Sequence, residues 1–107
     1  MNLNNLTNLQ WLAPWHSTPS GLESELEKEI SPEHPLFGRK AISVGRRDDR
    51  DDVLFFLPDN SFPLAVVRLT WTRKRETEPE WPDTTFYSSL DDWIERRMKL
   101  DHLEFES

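Results

Sequence analysis

The sequence predicts an α+β fold: a three-stranded antiparallel meander with two helices packed on it, and with a fourth strand as the alternative architecture. Two observations carry this prediction. Apolar residues alternate, or run without interruption, in three short stretches between turn signals over residues 40–72. Segments with helical periodicity lie on either side, at residues 19–31 and 88–100. A chain of 107 residues is long enough for one modest core, so we expect residues 1–107 to form a single domain.

The N-terminal third contains an arm and the first helix. Residues 1–18 carry leucines at three-residue intervals, but Asn and Thr between them are weak helix formers and Pro14 stops a helix. We therefore expect a loosely helical or extended arm that lies over the core. Residues 19–31 form the first predicted helix, with Ser20 as the N-cap and an acidic first turn. The apolar stripe of this helix consists of Leu22, Leu26 and Ile30.

The meander begins with a strand over residues 40–47, in which Ile42 and Val44 face inward. Residues 53–57 are apolar at every position, which predicts a central strand that is covered on both faces. The third strand covers residues 62–72 and presents two different faces. One face consists of Ala65, Val67, Leu69 and Trp71, and the other of Leu64, Val66, Arg68 and Thr70.

A loop over residues 73–87 leads to the second helix. Either residues 84–87 or the N-terminal arm is the source of the alternative fourth strand. The second helix covers residues 88–100, with Ser88 or Ser89 as its N-cap and two aspartates in its first turn.

The apolar face of the second helix predicts how this helix meets the sheet. We expect Trp93 to anchor the helix on the strand face that ends in Trp71, and to lie near that residue. The tail, residues 101–107, is expected to dock through Leu103 and Phe105. The apolar face of the helix consists of Leu90, Trp93, Ile94 and Met98.

The chain is acidic, with a formal net charge of -7. Residues 39–75 nonetheless hold nine basic and five acidic residues, so basic charge is concentrated in the meander. Mutual neutralisation within the fold is the simplest interpretation; the alternatives are an acidic face for a basic partner and a basic patch for an anionic partner. Because binding of nucleic acid depends on Lys and Arg neutralising phosphates, the net charge argues against a nucleic-acid partner.

Charged residues gather at one end of the predicted meander. Because consecutive strands are antiparallel, the turn at residues 47–52 and the segment at residues 72–76 lie at the same end of the sheet. We expect an exposed ion-pair network there, with a charged recognition edge as the alternative. The residues involved are Arg46, Arg47, Arg50, Arg73 and Arg75 on the basic side, and Asp48, Asp49, Asp51, Asp52 and Glu76 on the acidic side.

Several classes of function lack the residue patterns that they require. With no cysteine, the chain has no disulfide framework, thiolate nucleophile or cysteine-ligated zinc. The three histidines lack metal-ligand spacing, and three glycines cannot form a GxGxxG motif. We therefore assign no catalytic residue, cofactor or metal. The longest apolar run, residues 53–57, is too short for a transmembrane helix, and the N-terminus lacks signal-peptide features, so we expect a cytoplasmic protein without a membrane partner.

Arg68 is the most informative candidate for a binding residue, because it interrupts an otherwise apolar strand. Either the sheet is open to solvent at this position, or a carboxylate holds the guanidinium. In the second case we expect Arg68 to line a pocket with Trp81 or Trp93, since arginine stacks on aromatic rings and binds carboxylates through two parallel hydrogen bonds. The candidate binding residues are Arg68, Trp71, Glu78 and Trp81.

A further pattern covers residues 62–103. It consists of the run from Ala65 to Trp71, followed by Glu78, Trp81, Pro82, Phe86, Asp92, Trp93, Asp101 and His102. Through these residues the chain resembles part of a family of small uncharacterised bacterial proteins. The family tends to have a histidine at the position of Arg68, so no role for an imidazole carries over to this chain. The resemblance implies a compact bacterial domain and transfers no catalytic residue.

Size, acidity, aromatic content and the missing catalytic patterns together favour a non-enzymatic interaction module. Such a domain is small, acidic and soluble and binds another protein, with an inhibitor or immunity-type role as one concrete form. The alternative is a small-molecule or peptide binder, or an enzyme, that uses a pocket near Arg68, Trp71, Glu78 and Trp81. A deep pocket joining these residues favours the alternative, and a flat, filled surface there removes it.

Overall fold

The computed structural model describes residue 6 and residues 8–18, 21–71 and 82–106. Five strands form one antiparallel sheet in chain order, which confirms an α+β meander. The sheet has five strands because both segments proposed for a fourth strand, the N-terminal arm and residues 84–87, contribute one. The strands are β1 (Trp15–Ser17), β2 (Ile42–Arg47), β3 (Asp52–Phe56), β4 (Leu64–Arg68) and β5 (Thr84–Tyr87).

Two helices pack on this sheet in the ranges 21–71 and 82–106 of the described chain. The first, α1, covers Glu23–Glu29. The second consists of α2 (Leu90–Trp93), a π-helical segment (Ile94–Met98) and α3 (Lys99–Glu106), which follow one another without a break and are together called the C-terminal helix. It extends beyond the predicted end at residue 100 because residues 101–106 contain neither Gly nor Pro to end it. In the described part of the chain, no helix has the length and apolar character needed to span a bilayer.

The two helices cover opposite faces of the sheet. On one face, α1 packs through Leu26 and Ile30 onto the centre of β3 and β4. On the other face, the C-terminal helix packs through Trp93 and Met98. All five residues of β3 are buried, as predicted for a strand that is covered on both sides. The sheet residues on the α1 face include Val53, Phe55, Ala65, Val67 and Leu69, and those on the C-terminal-helix face include Leu54, Phe56, Leu64 and Val66.

Trp93 anchors the C-terminal helix, but on the face opposite to the predicted one. Its side chain is completely buried among residues of the Leu64 and Val66 face, away from the face formed by Ala65 and its neighbours. Edge-to-face contacts join its ring to Trp11 at 5.9 Å and to Trp15 at 5.3 Å. The prediction failed because both faces of β4 are apolar, so periodicity could not decide which helix takes which face.

A β-bulge at Val44 and a carboxylate shape the outer edge of β2. The register shifts between Ser43 and Gly45, so Val44 is the extra residue of β2. Ile42 and Val44 both pack toward the C-terminal-helix face. Glu23 of α1 accepts hydrogen bonds from the Ser43 backbone N–H (2.9 Å) and hydroxyl (2.6 Å). Burial opposes the charge of Glu23, but these hydrogen bonds outweigh it and lower the pKa of its carboxyl. The predicted N-cap, Ser20, lies outside the described residues.

Ser89 is the N-cap of the C-terminal helix, which settles the choice between the two predicted caps. Its hydroxyl accepts a hydrogen bond from the Asp92 backbone N–H at 3.0 Å. Asp92 in turn accepts a hydrogen bond from the Ser88 backbone N–H at 2.9 Å. This reciprocal arrangement satisfies donors at the start of the helix and fixes the direction in which the helix leaves the sheet.

Candidate functional site

The structure describes two of the four predicted binding residues. Arg68 is the last residue of β4, and its side chain is 51% exposed while its Nε donates to Asp52 Oδ1 at 3.0 Å. Both alternatives raised for Arg68 therefore hold at once: it faces solvent, and a carboxylate holds it. Trp71 is 41% exposed and has a φ of 58°. Glu78 and Trp81 lie outside the described residues.

Arg68 and Trp71 are oriented by different parts of the fold. Arg68 bonds to Asp52, which also binds the C-terminal helix through Arg97. Trp71 is held from the α1 side, because the fully buried Glu29 accepts hydrogen bonds from the Thr70 backbone N–H (2.8 Å) and the Trp71 backbone N–H (2.9 Å). This pair of hydrogen bonds fixes the left-handed conformation of Trp71, which a non-glycine residue rarely adopts.

Asp52 is the centre of an ion-pair network that crosses the sheet. Its side chain is 1% exposed, and its second oxygen accepts a hydrogen bond from Arg97 Nη2 at 2.7 Å. Arg97 Nε also donates to Asp101 at 3.1 Å, one helical turn further on. Arg97 therefore connects the middle strand of the sheet to the C-terminal helix.

A second arginine extends the network toward β1. Arg47, at the end of β2, is 4% exposed and binds Asp49 through two hydrogen bonds of 2.8 and 2.9 Å. It also reaches Asp101 at 3.1 Å, and the same Asp101 oxygen accepts a hydrogen bond from the Trp15 indole N–H at 2.8 Å. The predicted ion-pair network thus exists, but Arg47 and Asp52 are buried and not exposed as expected. The part of the prediction that concerned residues 73–76 lies outside the described residues.

The electrostatics of this network stabilise the charged forms of Arg47, Asp49 and Arg68. Burial penalises the charge of Arg47, but the carboxylates of Asp49 and Asp101 outweigh this penalty and raise its pKa. The hydrogen bond from Arg47 lowers the pKa of Asp49, and the hydrogen bond to Asp52 raises the pKa of Arg68. Charges held in this way fix geometry and are poor proton donors or acceptors near neutral pH. The role of this network is therefore structural: it holds the C-terminal helix against the sheet.

His34 forms a separate buried polar contact beside β5. Its Nδ1 accepts a hydrogen bond from the Leu36 backbone N–H at 3.0 Å, so the proton of the neutral ring resides on Nε2. Nε2 lies 3.2 Å from the Pro82 carbonyl oxygen and 3.1 Å from the Thr84 hydroxyl. Burial lowers the pKa of His34. The Thr84 contact joins the loop that carries His34 to β5, and the Pro82 contact joins it to the residues just before β5, which favours a structural role for this histidine.

Several clefts lie on the surface of the described residues. One, of about 500 Å³, lies beside α1 and is lined by the buried residues Leu26, Ile30 and Leu36 and by Phe37, which is 45% exposed. Another, of about 590 Å³, lies between the turn that follows β3 and residues 88–91. A third, of about 340 Å³, is shallow and is lined by Asp49, Arg50, Asp51 and Arg68.

The end of the C-terminal helix presents the largest group of exposed apolar side chains that adjoin in sequence. The α3 segment has no buried residue. Leu100 is 53% exposed, Leu103 is 65% exposed and Phe105 is 47% exposed. The predicted docking of Leu103 and Phe105 against the body of the domain is therefore wrong. The signal that sequence analysis missed is the three-residue spacing of Leu100 and Leu103, which places both on one face once the helix continues past residue 100.

Within the described residues, no group of three or more His, Asp or Glu side chains is arranged to hold a metal ion. Comparison with protein-family models, with curated proteins and with solved structures finds no match to this chain.

Proposed function

We propose that this chain is a small acidic binding module that associates with another protein through the exposed face of α3. The observation that carries the proposal is the exposure of Leu100 and Leu103, which are three residues apart and share one face of a helical segment without a buried side chain. Isolated exposed apolar residues are normal on protein surfaces, whereas several together on one ordered element are typical of an interaction site.

Polar contacts support this proposal because they fix α3 without covering its apolar face. Asp101 accepts hydrogen bonds from Trp15 and Arg97, and His102 Nδ1 lies 2.7 Å from the Ala13 carbonyl oxygen. These residues point toward the N-terminal arm, on the other side of the helix from Leu100 and Leu103. A partner that binds an already ordered helix does not have to lose the entropy of ordering it.

The net charge of -7 is consistent with this function, since it keeps a chain with an exposed apolar helix face soluble. Binding of a different protein, as in inhibitor or immunity-type proteins, is one form of this function, and self-association is the other.

The test is photo-crosslinking from α3. A photoreactive benzoylphenylalanine replaces Leu103 in one variant and the exposed turn residue Asp59 in a matched control. We expect irradiation, in native cells and with the purified chain at high concentration, to give a defined polypeptide adduct from position 103 and none from position 59. The added substitution Leu100→Ser should abolish the adduct, because it removes half of the leucine pair. Equal labelling from positions 103 and 59, or no adduct under either condition, overturns the proposal.

A second candidate is a ligand site at the Arg68 end of the sheet, formed with Trp71, Glu78 and Trp81. It is favoured by the half-exposed guanidinium that lines the shallow cleft beside Arg50. A set of small carboxylates and acidic peptides, screened by NMR, is expected to shift the signals of Arg68 and Trp71 together. An Arg68→Gln variant should lose those shifts. Shifts confined to either residue alone, or unchanged in the variant, exclude a shared site.

A further inference from the structure

We infer that the outer edge of β5 is a pairing site for β5 of a second copy of this chain, so that two sheets join into one continuous antiparallel sheet. This edge is a different surface from the exposed face of α3, and pairing along it does not require that face. Three features of the edge point to this partner: open backbone groups along β5, an exposed aspartate just before the strand, and an arginine of the C-terminal helix that lies over its end.

The backbone of β5 leaves hydrogen-bonding groups open along its outer edge. Alternate residues of a strand direct their N–H and C=O groups to opposite sides. The Arg68 backbone N–H donates to the Asp83 carbonyl oxygen at 2.9 Å, so residues in phase with Asp83, such as Thr85, bond to β4. Thr84 and Phe86 therefore direct their N–H and C=O groups outward, where no described residue bonds to them. Such groups are the template on which another strand pairs.

The open groups of β5 match those of a second β5 that runs in the opposite direction. With Thr85 opposite Thr85 of the second copy, Thr84 lies opposite Phe86 of the second copy, and the reverse. Each such pair of outward-facing residues exchanges both of its backbone hydrogen bonds, which gives about four across the edge. This register is two-fold symmetric, as a pair of identical chains requires. A register centred on Phe86 would need the Ser88 N–H, which already donates to Asp92.

The side chains on the α1 face of β5 suit this pairing. The ring centroids of Phe86 and Phe62 are 6.2 Å apart, and Phe62 is 48% exposed. In the paired strands, Phe86 lies beside Thr84 of the second copy, because residues opposite each other project from the same face of a sheet. Aromatic and β-branched side chains form favourable pairs across strands. The second copy therefore covers part of an exposed aromatic pair.

Charged residues on the other face of β5 select a second copy of this chain as the pairing strand. Asp83 is exposed and forms no ion pair among the described residues. Tyr87 packs toward the C-terminal helix, and Asp83, four residues earlier, projects from the same face. In the two-fold register, Asp83 of the second copy lies opposite Tyr87, and the Arg96 guanidinium lies 5.7 Å from the centre of the Tyr87 ring. The second copy therefore brings a carboxylate to Arg96 at each end of the paired strands.

Arg96 can bind this second carboxylate without losing the first. It donates to Asp92 at 3.1 Å, and its side chain is 66% exposed, so several of its N–H donors stay open. Asp92 also accepts a hydrogen bond from the Ser88 N–H, so this flank of the C-terminal helix stands at the end of β5. An unrelated strand would need its own acidic residue at the position of Asp83. The charges therefore favour a second copy of this chain.

The shortness of the edge predicts a weak dimer. The strand β5 has four residues, and short edge strands limit pairing with other chains. The paired edges bury less surface than the roughly 1,200–2,000 Å² of a stable specific interface. We expect a dissociation constant of about 0.1 mM, as for weak and transient contacts. The chain is then monomeric when dilute and dimeric only where its concentration is high.

Amide hydrogen exchange, followed by NMR at about 0.05–1 mM chain, tests which backbone groups pair. We expect the Thr84 and Phe86 amides to exchange about threefold more slowly at the highest concentration than at the lowest, because they become bonded to the second copy. The amides of Thr85 and Tyr87 should not change, since they already bond to β4. Exchange at Thr84 and Phe86 that is independent of concentration overturns the inference.

Thr84→Pro and Thr84→Val form a matched pair of variants. Both remove the hydroxyl that lies 3.1 Å from His34 Nε2, but only proline also removes the outward N–H. Proline is tolerated where the N–H of an edge strand faces solvent, and circular dichroism establishes that both variants are folded. In sedimentation equilibrium, Thr84→Val should dimerise like the parent and Thr84→Pro should stay monomeric up to about 1 mM. A folded proline variant that dimerises like the valine variant overturns the inference.

A charge exchange tests the identity of the pairing strand without the proline variant. Asp83→Arg and Arg96→Asp are each expected to weaken the dimer about tenfold, because each places like charges at both ends of the paired strands. The double variant should regain the dimer constant of the parent, since each ion pair is then merely reversed. Asp48→Arg, an exposed change beside β1 at the opposite edge of the sheet, is the control and should leave the constant unchanged. A double variant no tighter than either single variant overturns the second copy as partner.

The outcomes separate the β5 edge from the exposed face of α3. A parent that stays monomeric up to about 1 mM overturns the pairing of two copies, whereas crosslinking from Leu103 decides the proposed function by itself. A dimer that is lost in Leu103→Glu but kept in Thr84→Pro places the interface on α3 and also overturns pairing at β5.

Discussion

Asp52 is a buried acidic residue that lies between two arginine partners. Its side chain is almost completely buried, and each of its two oxygens accepts one guanidinium hydrogen bond, from Arg68 and from Arg97. A buried ion pair adds little net stability compared with apolar residues of the same shape. The loss of one member is costly, however, because the remaining charge stays in a poorly solvated position. The arrangement therefore makes Asp52 sensitive to substitutions that hardly change its size.

Asp52→Asn should destabilise the domain through this mechanism. The amide has nearly the same shape but no charge, and its nitrogen cannot accept a guanidinium hydrogen bond. Removing one partner of a buried pair typically costs about 3–5 kcal/mol, and we expect the lower end because Arg68 is half-exposed. Urea unfolding measures the change, with Asp59→Asn in an exposed turn as the control. A midpoint equal to that of the control would show that the network does not hold the sheet to the helix.

His34 gives the stability a dependence on pH near neutrality. Burial lowers its pKa in the folded chain below the ordinary value of 6.5, so the unfolded chain binds more protons in the interval between the two values. Stability from His34 is therefore complete above about pH 6.5 and decreases as the pH falls through this interval. The carboxylates with lowered pKa lose their contribution only at more acidic pH, because their ordinary values are near 4.

His34→Asn separates this effect from the others. The Asn side-chain oxygen can accept the hydrogen bond from the Leu36 backbone N–H, as Nδ1 does, but it does not titrate. Urea midpoints of parent and variant, measured at pH 7.5 and pH 5.5, should show a larger decrease for the parent. Equal decreases would mean that His34 is protonated as readily in the folded chain as in the unfolded one.

Among the elements, those with a long apolar pattern were predictable and the shorter ones were not. The central strand β3 and the start of the C-terminal helix follow directly from a continuous apolar run and from Ser89. The three-residue strand β1 carries no comparable periodicity, and its strand conformation goes with its pairing to β2, which local sequence does not reveal. Periodicity also cannot assign Trp93 to one of two apolar sheet faces, since that choice depends on where α1 packs.

In the candidate site, too, the sequence predicts single residues but not the contacts between residues that are distant in the chain. The chain marks Arg68 as unusual because an arginine interrupts an apolar strand, and its exposed position at a charged strand end was foreseeable. Its connection to Arg97 through a shared carboxylate was not, since the two arginines are far apart in sequence and meet only when the helix crosses the sheet. The exposure of Leu103 likewise depends on how far the helix extends beyond the sheet.

Gly45 shows how one strand position limits the packing of the N-terminal arm. A Cβ atom at this position would lie 2.5 and 2.7 Å from two ring carbons of Trp11, closer than real contacts allow. Gly45→Ala should therefore displace Trp11 from its contact with Trp93 and destabilise the domain by about 1–3 kcal/mol, as overpacking does. In a Trp11→Leu background the same substitution should cost less than half as much, because the ring is gone. Additive effects in this double-mutant cycle, measured by urea unfolding, would contradict the proposed clash.

At the scale of the whole molecule, both ends of the chain assemble on one face of the sheet. Trp93 of the C-terminal helix contacts Trp11 and Trp15 of the N-terminal arm. Asp101 of the same helix accepts a hydrogen bond from Trp15 and pairs with Arg47. On the α1 face, the packing joins α1 to β3, β4 and Phe86 of β5, and no described residue of either chain end takes part in it. The C-terminal-helix face is thus where the two ends of the chain are joined to each other and to the sheet.

Trp93→Ala should therefore unfold the domain or nearly do so. Truncation of a buried Trp typically costs about 3–5 kcal/mol, a large share of the roughly 5–15 kcal/mol that stabilises a domain. We expect the melting temperature, followed by circular dichroism, to fall by at least about 12 °C. Trp71→Ala is the control, since Trp71 is 41% exposed and should change the melting temperature much less. Trp93→Phe should lie between them, because the Trp93 indole N–H has no hydrogen-bond partner among the described residues, so that only ring volume is lost. If Trp93→Ala melted within about 4 °C of the parent, a change worth no more than about 1 kcal/mol, the two chain ends would not depend on this residue for their assembly.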